Sequence, residues 1–92
     1  MVLRFGRPAV QAARLADRTR PLRTELAQID QRLSRLAAER TDAEAALTTG
    51  GLAPEQIAEH GRQLNHIAAE TAMLEERWLQ LQTELEALQS GA

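Results

Sequence analysis

Apolar residues recur along the chain at spacings that alternate between three and four residues. The first run occupies Leu15, Thr19, Leu22, Leu26, Ile29, Leu33, Leu36, Arg40, Ala43 and Leu47. The second run occupies Ile57, His60, Leu64, Ile67, Thr71, Leu74, Trp78, Leu81, Leu85 and Leu88. This alternation is typical of a coiled-coil seam. Because each stripe is narrow, it suits one partner helix better than a globular core. The sequence therefore predicts two long helices that pair.

The segment between the two runs predicts a tight chain reversal. Gly50 can adopt the left-handed conformation that ends a helix. Pro54 suits the first turn of the next helix, and Glu55 complements the helix dipole there. A short loop makes the two helices antiparallel neighbours. We therefore predict one helix over about 21–48, a tip loop at 49–53 and a second helix over about 54–89.

Pro21 divides the predicted hairpin from an N-terminal arm. Proline disfavours a helical conformation for the residue before it, which predicts a kink and a separate short helix over about 9–19. The stretch from Phe5 to Pro8 reads as unstructured. The predicted fold is all-α: an antiparallel two-helix coiled-coil hairpin over 19–92, preceded by an arm over 1–18 with a short helix.

Folding the hairpin about Gly50 fixes which residues meet. The core anchors pair as Leu22 with Trp78, Leu26 with Leu74, Leu33 with Ile67, and Leu36 with Leu64. On one edge, opposite charges pair as Arg18 with Glu84, Glu25 with Arg77, and Arg32 with Glu70; Glu39 meets Gln63, and on the other edge Arg23 meets Glu75. A slip by one heptad opposes like charges instead. Each exposed pair contributes only about 0.3–0.5 kcal/mol, so the charges select the register. Burial of the seam, at about 25 cal/mol per Å², holds the helices together.

The composition of the chain bears on the cellular compartment in which the protein works. The chain has 92 residues and no cysteine, which excludes disulfides and thiolate metal sites and suits a reducing cytoplasm. No apolar run approaches the length of a membrane span. Every basic side chain is arginine and none is lysine. The arginine-rich start is compatible with an organelle transit peptide, but we attribute it to genomic codon bias and predict a cytoplasmic protein.

Charge is unevenly distributed between the two halves. Residues 1–40 hold nine arginines against four acids, a balance of +5, whereas residues 41–92 hold two arginines against nine acids, a balance of −7. Two halves of opposite sign suit each other as partners, and the basic start could also contact phosphate. The candidate nucleic-acid contacts are Arg4, Arg7, Arg14, Arg18, Arg20 and Arg23. The alternative is an ordinary solvated basic face.

Two seam positions are unusual and leave alternatives open. Arg40 falls opposite His60 near the tip, where both side chains could extend to water at a frayed end. The alternative is a recognition point formed by these two residues with Gly50 and Gly51. Trp78 reads as an anchor packed over Leu22 and, alternatively, as a stacking platform for a base, which its seam position disfavours.

The sequence lacks the patterns that carry common catalytic chemistry. The Gly50–Gly51 pair is not followed by the Lys-Ser/Thr of a phosphate-binding loop. His60 and His66 are six residues apart, so a helix points them in different directions. The carboxylates lie on solvated helix faces without a pocket. We therefore predict no enzyme, no cofactor, no metal and no small-molecule substrate.

Three stretches together resemble a known module: residues 19–25 (TRPLRTE), the tip from Leu47 to Glu55, and residues 75–81 (EERWLQL). Over about 19–89 the pattern is similar to the C-terminal coiled-coil domain of ABC-F ATPases, the soluble, non-transporter members of the ATP-binding-cassette family. The Glu-Arg-Trp-Leu stretch is the more specific part, since any hairpin has heptads.

The resemblance implies a non-catalytic accessory domain. In that family the hairpin follows two ATP-binding cassettes and the whole proteins act on ribosomes and translation. The resemblance implies that the hairpin contacts nucleic acid or modulates the cassettes. The implied partners are ribosomal RNA or DNA and the cassettes of a parent protein. This chain has neither cassette, so no catalytic residue carries over, and its acidic second helix disfavours nucleic-acid binding there. The alternative is a stand-alone protein–protein interaction or spacer coiled coil, whose seam could also pair between chains.

Overall fold

The computed structural model describes the backbone of residues 3–91 and the side chains of residues 10–91. It contains two helices, α1 (Leu3–Thr49) and α2 (Pro54–Gln89). They pack along each other in an elongated body of 77 × 16 × 14 Å. The all-α hairpin predicted from the heptads is therefore confirmed.

The N-terminal boundary of α1 differs from the prediction. The first helix begins at Leu3 rather than near residue 21, and its backbone is helical through the Phe5–Pro8 stretch. The expected separate helix over 9–19 and the interruption at Pro21 are therefore wrong. Pro21 and Asp17, whose carbonyl loses its helical N–H donor, are both exposed, so the interruption lies on the solvent side of α1 and the seam continues beneath it. The division into an arm and a hairpin domain stays a prediction.

The chain reverses over four residues, Gly50 to Ala53, one residue fewer than predicted. Gly50 and Gly51 both have positive φ angles, of 81° and 76°. This left-handed conformation is strained for residues with a side chain, which explains the glycine pair. The Ala53 backbone N–H donates to Gln56 Oε1 at 2.9 Å, which satisfies a donor at the start of α2.

The core is the line along which the two seams meet. The buried residues are Thr19, Leu26, Ile29, Leu36, Ala43, Ile67 and Leu81. Leu22, Leu33, Leu74, Trp78 and Leu85 are partly buried and pack against the cluster of Leu26, Ile29 and Leu81. All eight predicted anchors are buried or half-buried, Leu64 included. Ile57, nearest the turn, is 50 % exposed, so the seam opens towards the tip.

Two ion pairs between the helices fix the register. Arg32 pairs with Glu70, and Arg77 pairs with Glu25, as the antiparallel alignment predicts. With this register Gln89, the last residue of α2, lies level with residues 11–13, so α1 extends past the end of α2. We call the end of the hairpin near Gln89 the base and the end at Gly50 the tip.

Candidate contact surfaces

The two edges of the seam differ, and the first is braced by charge. Arg32 Nη2 donates to Glu70 Oε1 at 2.8 Å, and its Nε donates to the other carboxylate oxygen. Arg77 Nε and Nη2 donate to the two oxygens of Glu25 at 2.7 and 2.9 Å. Both contacts are bidentate, the geometry in which a guanidinium pairs most specifically with a carboxylate. We call this edge the braced flank.

The bidentate contacts shift the pKa values of the four groups. The hydrogen bond from Arg77 lowers the pKa of Glu25 below its ordinary 4.5, and the bond from Arg32 does the same for Glu70. The reciprocal hydrogen bonds raise the pKa of both arginines. The pairs are one quarter to two fifths exposed, so water weakens them and their main effect is on register.

Other charge pairs expected from the sequence do not form. Among the described residues, Arg18 has no ion pair with Glu84, and Arg23 has none with Glu75. Arg18, Arg23 and Glu75 are exposed. Arg23 and Glu75 lie on the edge opposite the braced flank, where the facing side chains remain free to meet a partner.

That second edge carries small side chains and leaves the seam accessible. We call it the open flank: Ala16, Arg20, Arg23, Ala27, Asp30 and Ala37 of α1, with Gly61, Ala68, Ala72, Glu75, Leu79, Gln82 and Glu86 of α2. Near the base, a surface groove joins four of these α1 residues to the seam residues Leu15 and Thr19. In the middle of the hairpin, a second groove, which Arg40 and Glu44 of α1 also line, joins Ala68, Ala72 and Glu75 to the seam residues Leu64, Ile67 and Thr71.

The predicted phosphate contacts do not form one cluster. Arg14, Arg18, Arg20 and Arg23 are exposed around α1 near the base. Arg20 Nη2 lies 3.1 Å from Asp17 Oδ1, whereas the other three have no ion pair within the described residues. The side chains of Arg4 and Arg7 lie outside the described residues. Acidic residues of α2 stand beside this end of α1, so the base is bipolar rather than basic.

The predicted tip residues are spread along the last part of the hairpin. Arg40 is exposed, and its Nε donates to Glu44 Oε1 at 2.8 Å on the same helix. His60 is half-buried, and its Nδ1 has no hydrogen-bond partner. Ten residues separate Arg40 from Gly50, about 15 Å of helix. The structure therefore separates this layer from the turn, and a joint recognition role stays a prediction.

Trp78 packs with the core cluster and is half-buried. Leu22 contacts the same cluster, in agreement with the predicted pairing of these two layers. A base would need an open indole face, so the contacts favour the anchor interpretation.

The described residues contain neither a cluster of metal ligands nor a membrane-spanning helix. Within residues 10–91 no group of three histidine or acidic side chains converges on one point. Neither helix has, in its described part, an apolar stretch long enough to cross a membrane. The surface hollows are open grooves along the helices. The geometry offers surfaces for contact.

The sequence interpretation missed the open flank. Its signal was present: Ala16 and Ala37 occupy edge positions beside the first run, and Ala68 occupies one beside the second. Alanine at these positions predicts little by itself, because it is also a strong helix former. The contrast between the two edges depends on which of the predicted ion pairs form, and among the described residues those between the helices lie on one edge.

No protein-family model, no curated protein and no solved structure matches the chain. Membership in the ABC-F family therefore stays a hypothesis that rests on the sequence motifs.

Proposed function

We propose that this chain is a non-catalytic coiled-coil module that acts by protein–protein contact, with the hairpin as a stiff spacer. The observation that carries the proposal is the difference between its flanks. One is closed in its central part by two bidentate ion pairs and has a groove beside Leu22 and Leu88 near the base, whereas the other presents grooves that reach the seam both near the base and in the middle of the hairpin. Accessible apolar surface beside a seam is the feature that an additional helix can cover.

The dimensions support the role of a spacer. The body is 77 Å long and no more than 16 Å across. α1 and α2 support each other through the packed layers from Thr19 to Ala43. A helix pair braced in this way holds whatever binds its two ends at a fixed separation.

A second candidate function is phosphate contact at the base, as in an accessory domain of an ABC-F ATPase. It is favoured by Arg14, Arg18 and Arg23, which are exposed and have no ion pair within the described residues. Binding of this kind weakens steeply with salt, because each phosphate contact releases counterions. Under this second candidate function, the partners are ribosomal RNA or DNA and the ATP-binding cassettes of a parent protein.

Site-specific photo-crosslinking in cells separates the two candidates. A photoreactive amino acid replaces Ala68 on the open flank, Ala69 on the outer surface of the same helix, or Arg14 at the base. The contact function predicts protein adducts from position 68 that exceed those from position 69. Absence of protein adducts at 68, or equal yields at both positions, would refute it. Nuclease-sensitive adducts at position 14 would support the second candidate instead.

A further inference from the structure

Charge on the open flank is separated between the two helices near the base. α1 presents Arg20 and Arg23 there, and α2 presents Glu75 and Glu86, all four of them exposed. Arg23 makes no ion pair within the described residues, and neither glutamate makes one. At the base, therefore, the same surface has a basic side and an acidic side.

Such a surface is complementary to itself. Two hairpins can lie side by side with their open flanks in contact and their bases at the same end, related by a two-fold axis along their length; we call this arrangement base to base. In it, α1 of one copy lies antiparallel to α2 of the other. Arg20 and Arg23 of each copy then face Glu75 and Glu86 of its partner, and the contact occurs twice. This is the arrangement of neighbours in an up-down four-helix bundle.

Size and side-chain volume suit the same partner. Alanines at positions 16, 27, 68 and 72 allow a helix to approach closely, and Leu79, which is 61 % exposed, gains an apolar contact. α2 has 36 residues and the body is 16 Å wide. A helix of that length spans about 54 Å, so the face offers about 860 Å², near the area of about 800 Å² that each partner of a stable complex buries.

We infer that the occupant of the open flank is a second copy of this chain, docked base to base as a dimer of hairpins. The inference rests on the proposed contact function and names its partner. Opposite charges set the orientation. In a dimer docked base to tip, Glu75 and Glu86 would instead face residues 54–73 of the other copy, which hold one arginine and three acids and would repel them. Burial of Leu79 and the groove walls supplies the attraction.

A charge-swap experiment tests both the partner and the orientation. One variant carries Arg20→Glu with Arg23→Glu, and the other carries Glu75→Arg with Glu86→Arg. Each variant alone opposes like charges in all four cross-copy pairs, so sedimentation equilibrium at low salt should show its dimer dissociation constant raised about 100-fold. Mixed together, the two variants restore opposite charges at both contacts and should form a heterodimer of nearly wild-type affinity.

The matched control makes the same change of charge away from the open flank. Arg14→Glu with Arg35→Glu alters two exposed arginines on the braced side of α1 and should leave the dimer intact. Circular dichroism confirms that every variant remains helical. Raising the salt concentration should weaken the wild-type dimer, because its orienting pairs are exposed.

Three results would overturn the inference: a wild-type chain that stays monomeric, a dimer indifferent to the reversals, and a mixture that fails to associate. A monomer that still gives protein adducts at position 68 would refute the self-association alone. The absence of those adducts as well would refute the contact function beneath it.

Discussion

Truncation of Leu81 tests whether the seam holds the hairpin together. Leu81 is 0 % exposed and packs with Leu26 and Ile29. Replacing it by alanine removes three carbon atoms, which at about 0.8 kcal/mol per buried carbon costs about 2.4 kcal/mol in transfer free energy. A residual cavity brings the expected loss to about 3 kcal/mol.

Leu79→Ala is the matched control, two residues away on the same helix. Leu79 is 61 % exposed, so the same truncation removes about 1 kcal/mol of burial, partly offset by the helix propensity of alanine. Thermal unfolding followed by circular dichroism at two protein concentrations measures both variants and separates any contribution from association. For Leu81→Ala we expect the midpoint to fall by about 10–20 °C.

The comparison between the two leucines decides the outcome. Equal losses of stability for both variants would show that the seam is not where burial is concentrated. A loss below about 1 kcal/mol for Leu81→Ala would have the same meaning, since that value lies well under the transfer cost of its buried atoms.

The remaining predictions concern the turn, the braced flank and the proline. Gly50→Ala should destabilise the chain by about 1–2 kcal/mol, because φ is +81° there. Gly61→Ala lies in a helix with no atom near its added Cβ, so it should stabilise the chain by about 0.5–1 kcal/mol. Denaturant titrations measure both free energies of unfolding, and changes of the same sign in the two variants would contradict the reasoning. Because the hydrogen bond from Arg32 lowers the folded-state pKa of Glu70, this pair stabilises the fold at pH values above the ordinary 4.5, and the stabilisation disappears as the pH falls through the lowered pKa. Glu70→Gln should therefore flatten the acid limb of stability against pH, and an NMR titration that finds the Glu70 pKa at or above 4.5 would refute the pairing. Pro21→Ala should stabilise the chain by about 1–3 kcal/mol by restoring a helical hydrogen bond; an unchanged melting temperature would indicate that α1 is interrupted there.

Most of the fold follows from the sequence because its signals are repetitive. Ten seam positions in each run outweigh any single misplaced residue, and the charges at Glu25, Arg32, Glu70 and Arg77 select one register out of three. The turn carries its own local signal in the sequence, a glycine pair followed by Pro54, and the positive φ of Gly50 agrees with it.

The errors arise where one local preference competes with a long-range one. Proline disfavours a helical neighbour, but Pro21 and Asp17, whose carbonyl loses its helical N–H donor, are both exposed, and the helix continues. Arg40 falls on a seam position, yet a long side chain can leave the seam and pair with Glu44 along its own helix.

The surfaces are less predictable than the fold for a related reason. A heptad pattern identifies the stripe that is buried inside the hairpin, whereas a docking surface is defined by a partner whose sequence is not in the chain. Ala68 is as compatible with plain solvent exposure as with an interface. Only the placement of Arg23 and Glu75 on the same side of the seam indicates which partner would fit.

The four-residue reversal has a mechanical consequence. Because the chain turns back on itself, α1 and α2 meet applied force differently according to where it acts. Tension that pulls the two helices apart at the base loads one layer of side chains at a time, and the hairpin should unzip at low force from Leu85 towards Ala43. Tension between the base and Gly50 acts along the helix axes and does not separate the layers one by one, so the hairpin should resist far more strongly along that axis.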